Sequence, residues 1–456
     1  MISLDEKRAA FVASTAASFL TPLMASSVSI ALPSIGHEFS MDALSLSWVA
    51  TSAVLAAATL LLPFGRLADI YGRRKIFIYG ISTFTVFSLT SGLAPSGSIL
   101  IASRCFQGAG AAMIFGTGVA MLISVYPPAE RGRVLGVNVA ATYLGLSLGP
   151  FIGGFLTQHL GWRSLFFMNS LLGLAIVVLV LTRLRSEWAE AQGEKFEIPG
   201  ALLYAIPLTL AMIGVSKLPG TTGIWTLAVG LAGLAAFIAW ERRTEKPLLD
   251  ISLFVENKVF AYSNAAALIN YSATYAVTFL LSLYLQYVKQ LDPQTAGLIL
   301  VAQPIVMTLF SPLAGRLSDT IEPRVVASVG MGIICVALAL LAIVGKDTSV
   351  VLVTIYLIVL GFGFALFSSP NTNAIMSSVE KRLYGVASAM VGTMRLTGQM
   401  LSMGIVLLVF AVIMGNVRIT PEYYPAFVQC MQVAFVVFSL LCAVGIFASL
   451  ARGKVR

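Results

Sequence analysis

The 456-residue chain is 58% hydrophobic and only 11% charged, with a formal net charge of +9 and a mean hydropathy of +0.91. Soluble domains are about 45–50% apolar and about 25% charged, so this composition excludes a soluble globular protein. The basic residues form no long tract, which argues against a nucleic-acid surface. The sequence therefore predicts an all-α polytopic membrane protein.

Apolar runs long enough to cross a bilayer recur from end to end. A helix rises about 1.5 Å per residue, so about 20 residues cross the roughly 30 Å of hydrocarbon. Breaks such as Pro127-Pro128 and Asp292-Pro293 separate the runs. Fourteen helices are predicted, at residues 9–33, 47–66, 76–95, 99–126, 133–158, 163–184, 198–216, 222–241, 258–288, 294–315, 324–345, 349–377, 382–414 and 424–451.

The basic residues indicate how these helices are oriented. With the N-terminus in the cytoplasm, 22 of the 29 Lys and Arg residues fall on the inner side, five fall on the outer side, and Arg104 and Arg395 lie within helices. Cytoplasmic loops of membrane proteins are enriched in Lys and Arg. We therefore expect a multi-pass protein of the cytoplasmic (inner) membrane, in contact with the lipid bilayer and with both termini cytoplasmic.

A charged stretch near the end of helix 2 occurs twice. Residues 65–75 read Gly-Arg-Leu-Ala-Asp-Ile-Tyr-Gly-Arg-Arg-Lys, and residues 315–319 read Gly-Arg-Leu-Ser-Asp. We interpret Gly65 as closing helix 2 and Gly315 as closing helix 10. Helices 1–6 and 9–14 then form two parallel six-helix bundles, with helices 7 and 8 inserted between them. The predicted units are an N-terminal bundle (1–185), linkers with the two inserted helices (186–257) and a C-terminal bundle (258–456).

In these features the chain resembles the major facilitator superfamily, and within it the fourteen-helix drug:proton antiporters. Residues 65–75 are similar to the superfamily's signature loop, Arg104 and Gln107 to the helix 4 motif of drug exporters, and residues 145–154 to the helix 5 antiporter motif. The resemblance covers essentially the whole chain. It implies a secondary transporter, without enzymatic activity or cofactor, that exports amphiphilic drugs or metabolites by alternating access in exchange for protons.

One position departs from this resemblance. The subfamily carries an acidic residue in helix 1 before an Ala-Leu-Pro; here Ala-Leu-Pro is present at residues 31–33, but the corresponding position is Met24. All 20 acidic residues fall in loops or at helix ends of the predicted topology. Two intramembrane arginines without a buried acid favour anionic, zwitterionic or neutral amphiphiles over cations. The proton carrier has no evident position.

The signature loop suggests a latch between the two halves. Asp69 can accept hydrogen bonds from a helix N-terminus of the other half, or pair with Arg73 or Arg74, and so hold the halves together on the cytoplasmic side. The alternative is a charged turn that only sets topology. The residues predicted to form the latch are Gly65, Asp69, Gly72, Arg73, Arg74 and Asp319.

Polar residues within the helices predict a cavity. Arg395 lies roughly 20 Å from the cytoplasmic end of helix 13, which is too deep for its side chain to reach the headgroups. Arg104 lies nearer the outer side; it either reaches the outer headgroups or faces the cavity with Gln107 one turn away. The candidate substrate-binding residues, each of which has hydrogen bonding between helices as its alternative, are Asn138, Tyr143, Asn270, Tyr271, Gln303, Asn371 and Asn373.

Helix 5 carries closely spaced glycines. Gly145, Gly149 and Gly153 recur every four residues on one face and allow another helix to approach closely, while Pro150 favours a bend. Packing alone explains these glycines; the resemblance adds a flexible gate formed by Gly145, Gly149, Pro150, Gly153 and Gly154.

Other classes of site are not indicated. The four cysteines lie inside apolar runs without the spacing of a metal site or a disulfide framework, so no metal is predicted. We expect a small-molecule amphiphile and protons as partners, no nucleic acid, and function as a monomer. The alternatives are an exporter of a lipid or an anionic metabolite, and a non-transporting membrane sensor or scaffold.

Overall fold

The computed structural model describes residues 4–244, 247–249, 252–380 and 384–453, and its regular structure is helical throughout these ranges. The first eight helices are α1 (Leu4–Glu38), α2 (Ala43–Tyr71), α3 (Arg73–Gly92), α4 (Gly97–Val125), α5 (Pro128–Leu160), α6 (Arg163–Arg183), α7 (Ile198–Ser216) and α8 (Thr221–Glu241). A short helix, Ser252–Glu256, precedes the second group.

The second group contains six helices, two of which are interrupted. They are α9 (Lys258–Thr274, Ala276–Leu283 and a π-helical turn, Tyr284–Val288), α10 (Pro293–Leu300 and Ala302–Thr320), α11 (Pro323–Ala342), α12 (Val350–Ser377), α13 (Tyr384–Ile413) and α14 (Tyr424–Ala451). Thirteen of the helices in the described ranges are long and apolar enough to cross a membrane, and α3, with 20 residues, has the necessary length. The prediction of fourteen spanning helices is confirmed.

The two groups of six helices pack in the same pattern. In the first, α1 packs on α5 and α6, α4 on α2 and α3, and α3 on α6; in the second, α9 packs on α13 and α14, α12 on α10 and α11, and α11 on α14. Each pair in one group therefore has a counterpart eight helices later. This repetition is the duplicated architecture that the repeated charged stretch predicts, while the exact limits of the units at residues 185 and 257 stay predictions.

The inserted helices α7 and α8 pack mainly on each other, and α7 attaches them to both halves. The hydroxyl of Tyr204 on α7 donates to the carbonyl of Ala58 on α2 over 3.0 Å. About two turns further along α7, the sulfur of Met212 lies 3.0 Å from the position that a Cβ added to Gly404 of α13 would occupy. The insert thus lies against α2 and α13.

The ends of the duplicated stretches differ from the prediction. α2 runs through Gly65 to Tyr71, and α10 runs through Gly315 to Thr320, so neither glycine closes its helix. The chain reverses at the single residue Gly72, whose φ of +116° is open to glycine and strained for other residues. The charged stretch therefore consists of the end of α2 and the start of α3, joined at one glycine. Its polar side chains form hydrogen bonds with neighbouring segments. For this reason α2 can continue beyond the end of its apolar run.

The halves join at the end of the bundle opposite to Gly72. Pro33 of α1 has no N–H, which leaves the carbonyl of Ser29 without its helical donor. The hydroxyl of Ser282 on α9 donates to that carbonyl over 2.7 Å, and Gln286 Nε2 donates to the carbonyl of Ile30 over 2.9 Å. The Ala-Leu-Pro sequence of α1 thereby creates an acceptor that the other half uses.

Candidate transport cavity and signature loop

A cavity lies between the two halves. It is lined by α1, α2, α4 and α5 on one side and by α9, α10, α12 and α13 on the other, with Phe84 of α3. The space between atoms amounts to about 1500 Å³, open solvent included.

The cavity wall is mostly apolar and aromatic, with a few polar groups. Met24 lines it, at the position where the resemblance leads one to expect an acid. The lining side chains of the described chain include no Asp or Glu. The apolar members include Phe115, Phe279, Met307, Phe364 and Met403, and the polar members include Arg104, Gln107, Tyr143, Tyr271, Tyr275, Gln303, Arg395 and Gln399.

Arg104 is buried in a hydrogen-bond network that joins three helices. Its Nε donates to the carbonyl of Val49 on α2 over 3.2 Å, and its Nη1 donates to Oε1 of Gln107. Gln107 Nε2 in turn lies 2.6 Å from Oγ of Ser88 on α3. Only 4% of Arg104 is exposed, so its side chain does not extend to the outer headgroups.

Arg395 is the second cavity cation and has a different environment. Its guanidinium carbon lies 5.1 Å from the centroid of the Phe115 ring on α4, within the range of a cation–π contact. It makes no hydrogen bond or ion pair to any residue in the described part of the chain. Phe115 and Arg395 also connect the two halves, because α4 and α13 belong to different groups.

The seven predicted substrate-binding residues separate into two sets. Tyr143, Tyr271 and Gln303 line the cavity. The other four lie outside its wall: Asn138 bonds to Ser18, Asn371 to Ser263 and Arg452, and Asn373 to Ser318, while the buried side chain of Asn270 has no partner among the described residues. Asn138, Asn371 and Asn373 therefore make hydrogen bonds between helices, which is the alternative to substrate binding given above.

Arg452 explains the position of Asn371. This arginine follows α14, is 1% exposed, and donates to Oδ1 of Asn371 over 2.8 Å and to Oγ of Ser263 over 3.2 Å. Burial lowers the pKa of Arg452 to about 10, so the guanidinium stays charged at neutral pH. It ties the ends of α9, α12 and α14 together.

Sequence reasoning missed several lining residues. Tyr275 lies one turn after Tyr271, and Gln399 one turn after Arg395, so helical spacing from two predicted residues would have found both. Phe115, Met307 and Phe364 carry no such signal, because aromatic and methionine side chains are common on every face of a membrane helix.

In the signature loop, Asp69 pairs within its own half. Arg73 Nη2 lies 2.8 Å from Oδ1 of Asp69, and Arg73 Nη1 lies 2.7 Å from Oε1 of Glu190, on the linker between α6 and α7. The amide of Ala191 donates to the carbonyl of Asp69 over 2.9 Å, and the amide of Arg73 to the carbonyl of Trp188 over 2.8 Å. The linker therefore lies directly on the loop, which sequence reasoning did not foresee.

Other side chains and amides of the loop also contact this linker. Arg66 Nη2 lies 2.6 Å from Oε2 of Glu194, the amide of Arg74 donates to Glu187 over 2.8 Å, and Arg74 Nε donates to the carbonyl of Leu184. Glu187 occupies the space beside Gly72 that a Cβ would need. The side chain of Asp319 lies outside the described part of the chain.

The helix 5 glycines contact two partners. Gly145, Gly149 and Gly153 face α1, where a Cβ added to Gly153 would lie 2.8 Å from Cα of Ser27. Gly154 faces α10 of the other half, where a Cβ would lie 2.9 Å from Cα of Gln294. Pro150 abuts Gly297 of α10, whose added Cβ would lie 3.0 Å from the Pro150 carbonyl carbon. α5 is thus wedged between α1 and α10.

These features define a membrane carrier built of two repeated six-helix bundles around a central cavity. The chain belongs to the Major Facilitator Superfamily, whose family model matches residues 15–403 and 263–455. This confirms the resemblance that the sequence motifs carry.

Similar proteins are known as transporters. The chain is 30% identical over 380 residues to the riboflavin transporter RibZ of Clostridioides difficile (strain 630), covering 83% of this chain and 82% of that protein. It is 32% identical over 389 residues to the multidrug resistance protein Stp of Mycobacterium tuberculosis (strain CDC 1551 / Oshkosh), covering 83% of this chain and 71% of that protein. The crystal structure of a bacterial homolog to the human lysosomal transporter Spinster shares the fold, with a TM-score of 0.71 at 15% identity over 99% of this chain and 98% of that chain.

Proposed function

We propose that the protein exports amphiphilic small molecules through the central cavity by alternating access, in exchange for protons. The observation that carries this proposal is the cavity itself, which helices of both halves line jointly. A rearrangement of one half against the other would open such a cavity to one side of the membrane at a time. Its mostly apolar wall with few polar groups suits an amphiphile, and a relative named a multidrug resistance protein supports the same class of substrate.

We propose that the protein lies in the cytoplasmic membrane with its signature loop facing the cytoplasm, because most Lys and Arg residues fall on that side. The cavity is complete within one chain, which supports function as a monomer. In this proposal Asp69 exchanges partners during the cycle, between Arg73 in the described state and a helix N-terminus of the other half in the state that is closed on the cytoplasmic side.

Proteoliposomes with an imposed pH gradient test this function. The probes are carboxyfluorescein (anionic), riboflavin (uncharged at neutral pH) and rhodamine 123 (cationic). We expect movement of at least one probe, driven by the gradient and abolished by a protonophore. Asp69→Asn should abolish movement while the variant still elutes as folded protein in size-exclusion chromatography.

Each outcome has a separate meaning. Movement of a probe without dependence on the pH gradient would overturn proton exchange and leave export standing. Unchanged movement in Asp69→Asn would overturn the latch. If none of the probes moved, the sensor or scaffold would replace the transporter as the preferred function.

A further inference from the structure

The cavity contains a cation, Arg395, that no group among the described residues neutralises. Arg395 lines the wall, and neither a carboxylate nor a hydrogen-bond acceptor of the described residues contacts its guanidinium. Charged groups inside a membrane protein are costly unless they are paired or face a cavity. The contact with Phe115 offsets only a small part of that cost. Within the described residues the guanidinium is unpaired, so the contents of the cavity are what can satisfy it.

Arg104 does not offer the same opportunity. Its Nε and Nη1 are already engaged by the carbonyl of Val49 and by Gln107, and these bonds join α4 to α2. Binding a ligand through these nitrogens would break contacts between helices. Arg104 is therefore a positioning residue, and Arg395 is the cation available to a ligand.

Aromatic rings of both halves surround this part of the cavity. The ring of Tyr271 on α9 lies 5.8 Å from that of Phe364 on α12 at an angle of 66°. Tyr271 is also close enough to interact electrostatically with Arg395 and with Tyr143 of α5. The hydroxyl of Tyr143 is held 2.8 Å from Oγ of Ser368 on α12, which fixes the ring across the boundary between the halves. Flat aromatic surfaces and a free guanidinium therefore face one space.

We infer that this cavity selects amphiphiles that combine a flat aromatic ring system with a carboxylate, and that Arg395 binds the carboxylate. The planar guanidinium fork matches a carboxylate in a bidentate arrangement, which a lysine ammonium cannot reproduce. Because no acidic side chain of the described chain lines the wall, a cationic amphiphile finds two like charges and no counter-charge. This inference rests on the proposed function, since it names the substrate class of the same cavity.

Two dyes with the same ring system test the inference. Carboxyfluorescein and rhodamine 123 share a xanthene core, the first being anionic and the second cationic. Transport in proteoliposomes and equilibrium binding in detergent, the latter by fluorescence anisotropy, should both favour carboxyfluorescein in the unmodified protein.

Arg395→Gln should weaken carboxyfluorescein binding by about tenfold or more, as expected for the loss of a hydrogen bond between charged groups, and should not weaken rhodamine 123 binding. Arg395→Lys should retain part of the carboxyfluorescein affinity, because the charge remains. Arg418→Gln, which removes an exposed arginine outside the cavity, is the matched control and should leave both affinities unchanged.

The outcomes distinguish a failure of this inference from a failure of the proposed transport function. If the protein moves rhodamine 123 but not carboxyfluorescein, or if Arg395→Gln weakens both dyes equally, the anion preference is wrong and export stands. If neither dye binds or moves, while the protein is folded, both the inference and the proposed function fail for this class of amphiphile.

Discussion

Arg73 Nη1 lies 2.7 Å from Oε1 of Glu190, so the guanidinium that pairs with Asp69 also ties the linker between α6 and α7 to the signature loop. The side chain of Arg73 is only 7% exposed, whereas that of Glu190 is 66% exposed. The two groups therefore contribute unequally: Arg73 is anchored by Asp69 at the end of the preceding helix α2, and Glu190 can leave into solvent. In the cycle that we propose, the linker is therefore the part that would detach when Asp69 changes partners.

The first prediction concerns Glu190→Gln. Removing the charge weakens an ion pair that is largely exposed, for which about 0.2–1 kcal/mol is typical. The amide hydrogens of Ala191 and Arg73, which bond across the linker–loop contact, should exchange up to about fivefold faster in hydrogen–deuterium exchange. Glu256→Gln, on the short helix before α9, is the control and should leave both amides unchanged. Equal protection in Glu190→Gln and in the unmodified protein would contradict the anchoring role.

The second prediction compares two glycines of α5. Gly153→Ala places a Cβ 2.8 Å from Cα of Ser27, so α1 and α5 must separate. Gly136→Ala meets nothing within 4 Å, and alanine favours a helix by about 1 kcal/mol over glycine. We expect Gly153→Ala to lower the Tm in detergent and to reduce transport, and Gly136→Ala to leave the Tm unchanged or raised. A similar Tm change in both variants would mean that helix propensity, and not close packing, governs this face.

The helices, their number and the duplication were predictable because each depends on a local pattern. An apolar run of about 20 residues needs no partner to indicate a spanning helix, and a copied motif indicates a copied bundle. Helix ends were less predictable: α2 continues past Gly65 because Arg66 finds Glu194 on a linker more than a hundred residues away. Such a partner cannot be read from the residues beside it.

The cavity shows the same limit. The depth of the cavity and its two arginines follow from sequence position. The sequence does not say that Arg104 is hydrogen-bonded to Val49, whereas Arg395 has no hydrogen-bond partner among the described residues. The asparagines show that a polar intramembrane residue predicted to line the cavity can lie outside its wall. An intramembrane asparagine has the same appearance in a sequence whether it faces a substrate or joins two helices, and Asn138 and Asn371 join helices.

The third prediction concerns pH and the start of α10. Asp292 caps this helix, and hydrogen bonds from the hydroxyl and the amide of Thr295 lower the pKa of Asp292 below 3.8. Because the pKa is lower in the folded protein, the cap contributes fully above pH 3.8 and is lost as the pH falls through the folded value. Asp292→Ala should lower the Tm at pH 7, where loss of a cap costs about 0.5–2 kcal/mol.

The pH dependence provides the control for that prediction. The Tm difference between Asp292→Ala and the unmodified protein should shrink as the pH is lowered towards 3. Asp292→Asn, which keeps a side-chain acceptor, should retain most of the stability at pH 7 and show little change with pH. A Tm difference for Asp292→Ala that is independent of pH would show that the carboxylate charge plays no part in the cap.

The fourth prediction concerns two carboxylates at the ends of the inserted helices. Glu197 caps α7 and accepts hydrogen bonds from the amide of Gly200 and from the indole of Trp240, while Glu241 ends α8 and accepts from the amide of Leu249. One oxygen of each, Oε2 of Glu197 and Oε1 of Glu241, is buried and has no partner in the described part of the chain. Both of these oxygens adjoin the position of a Cβ at Gly200, so they face one another.

Two ionised carboxylates in this arrangement repel each other, and each leaves a buried acceptor unsatisfied, which costs about 1–3 kcal/mol per group. Glu241→Gln should raise the Tm at pH 8, because the amide removes one charge and can donate to Oε2 of Glu197. Glu422→Gln, at an exposed position before α14, is the control for the loss of one negative charge. An equal rise in Tm in Glu422→Gln, or a lower Tm in Glu241→Gln at pH 8, would show that the facing oxygens do not limit the stability of the inserted helices.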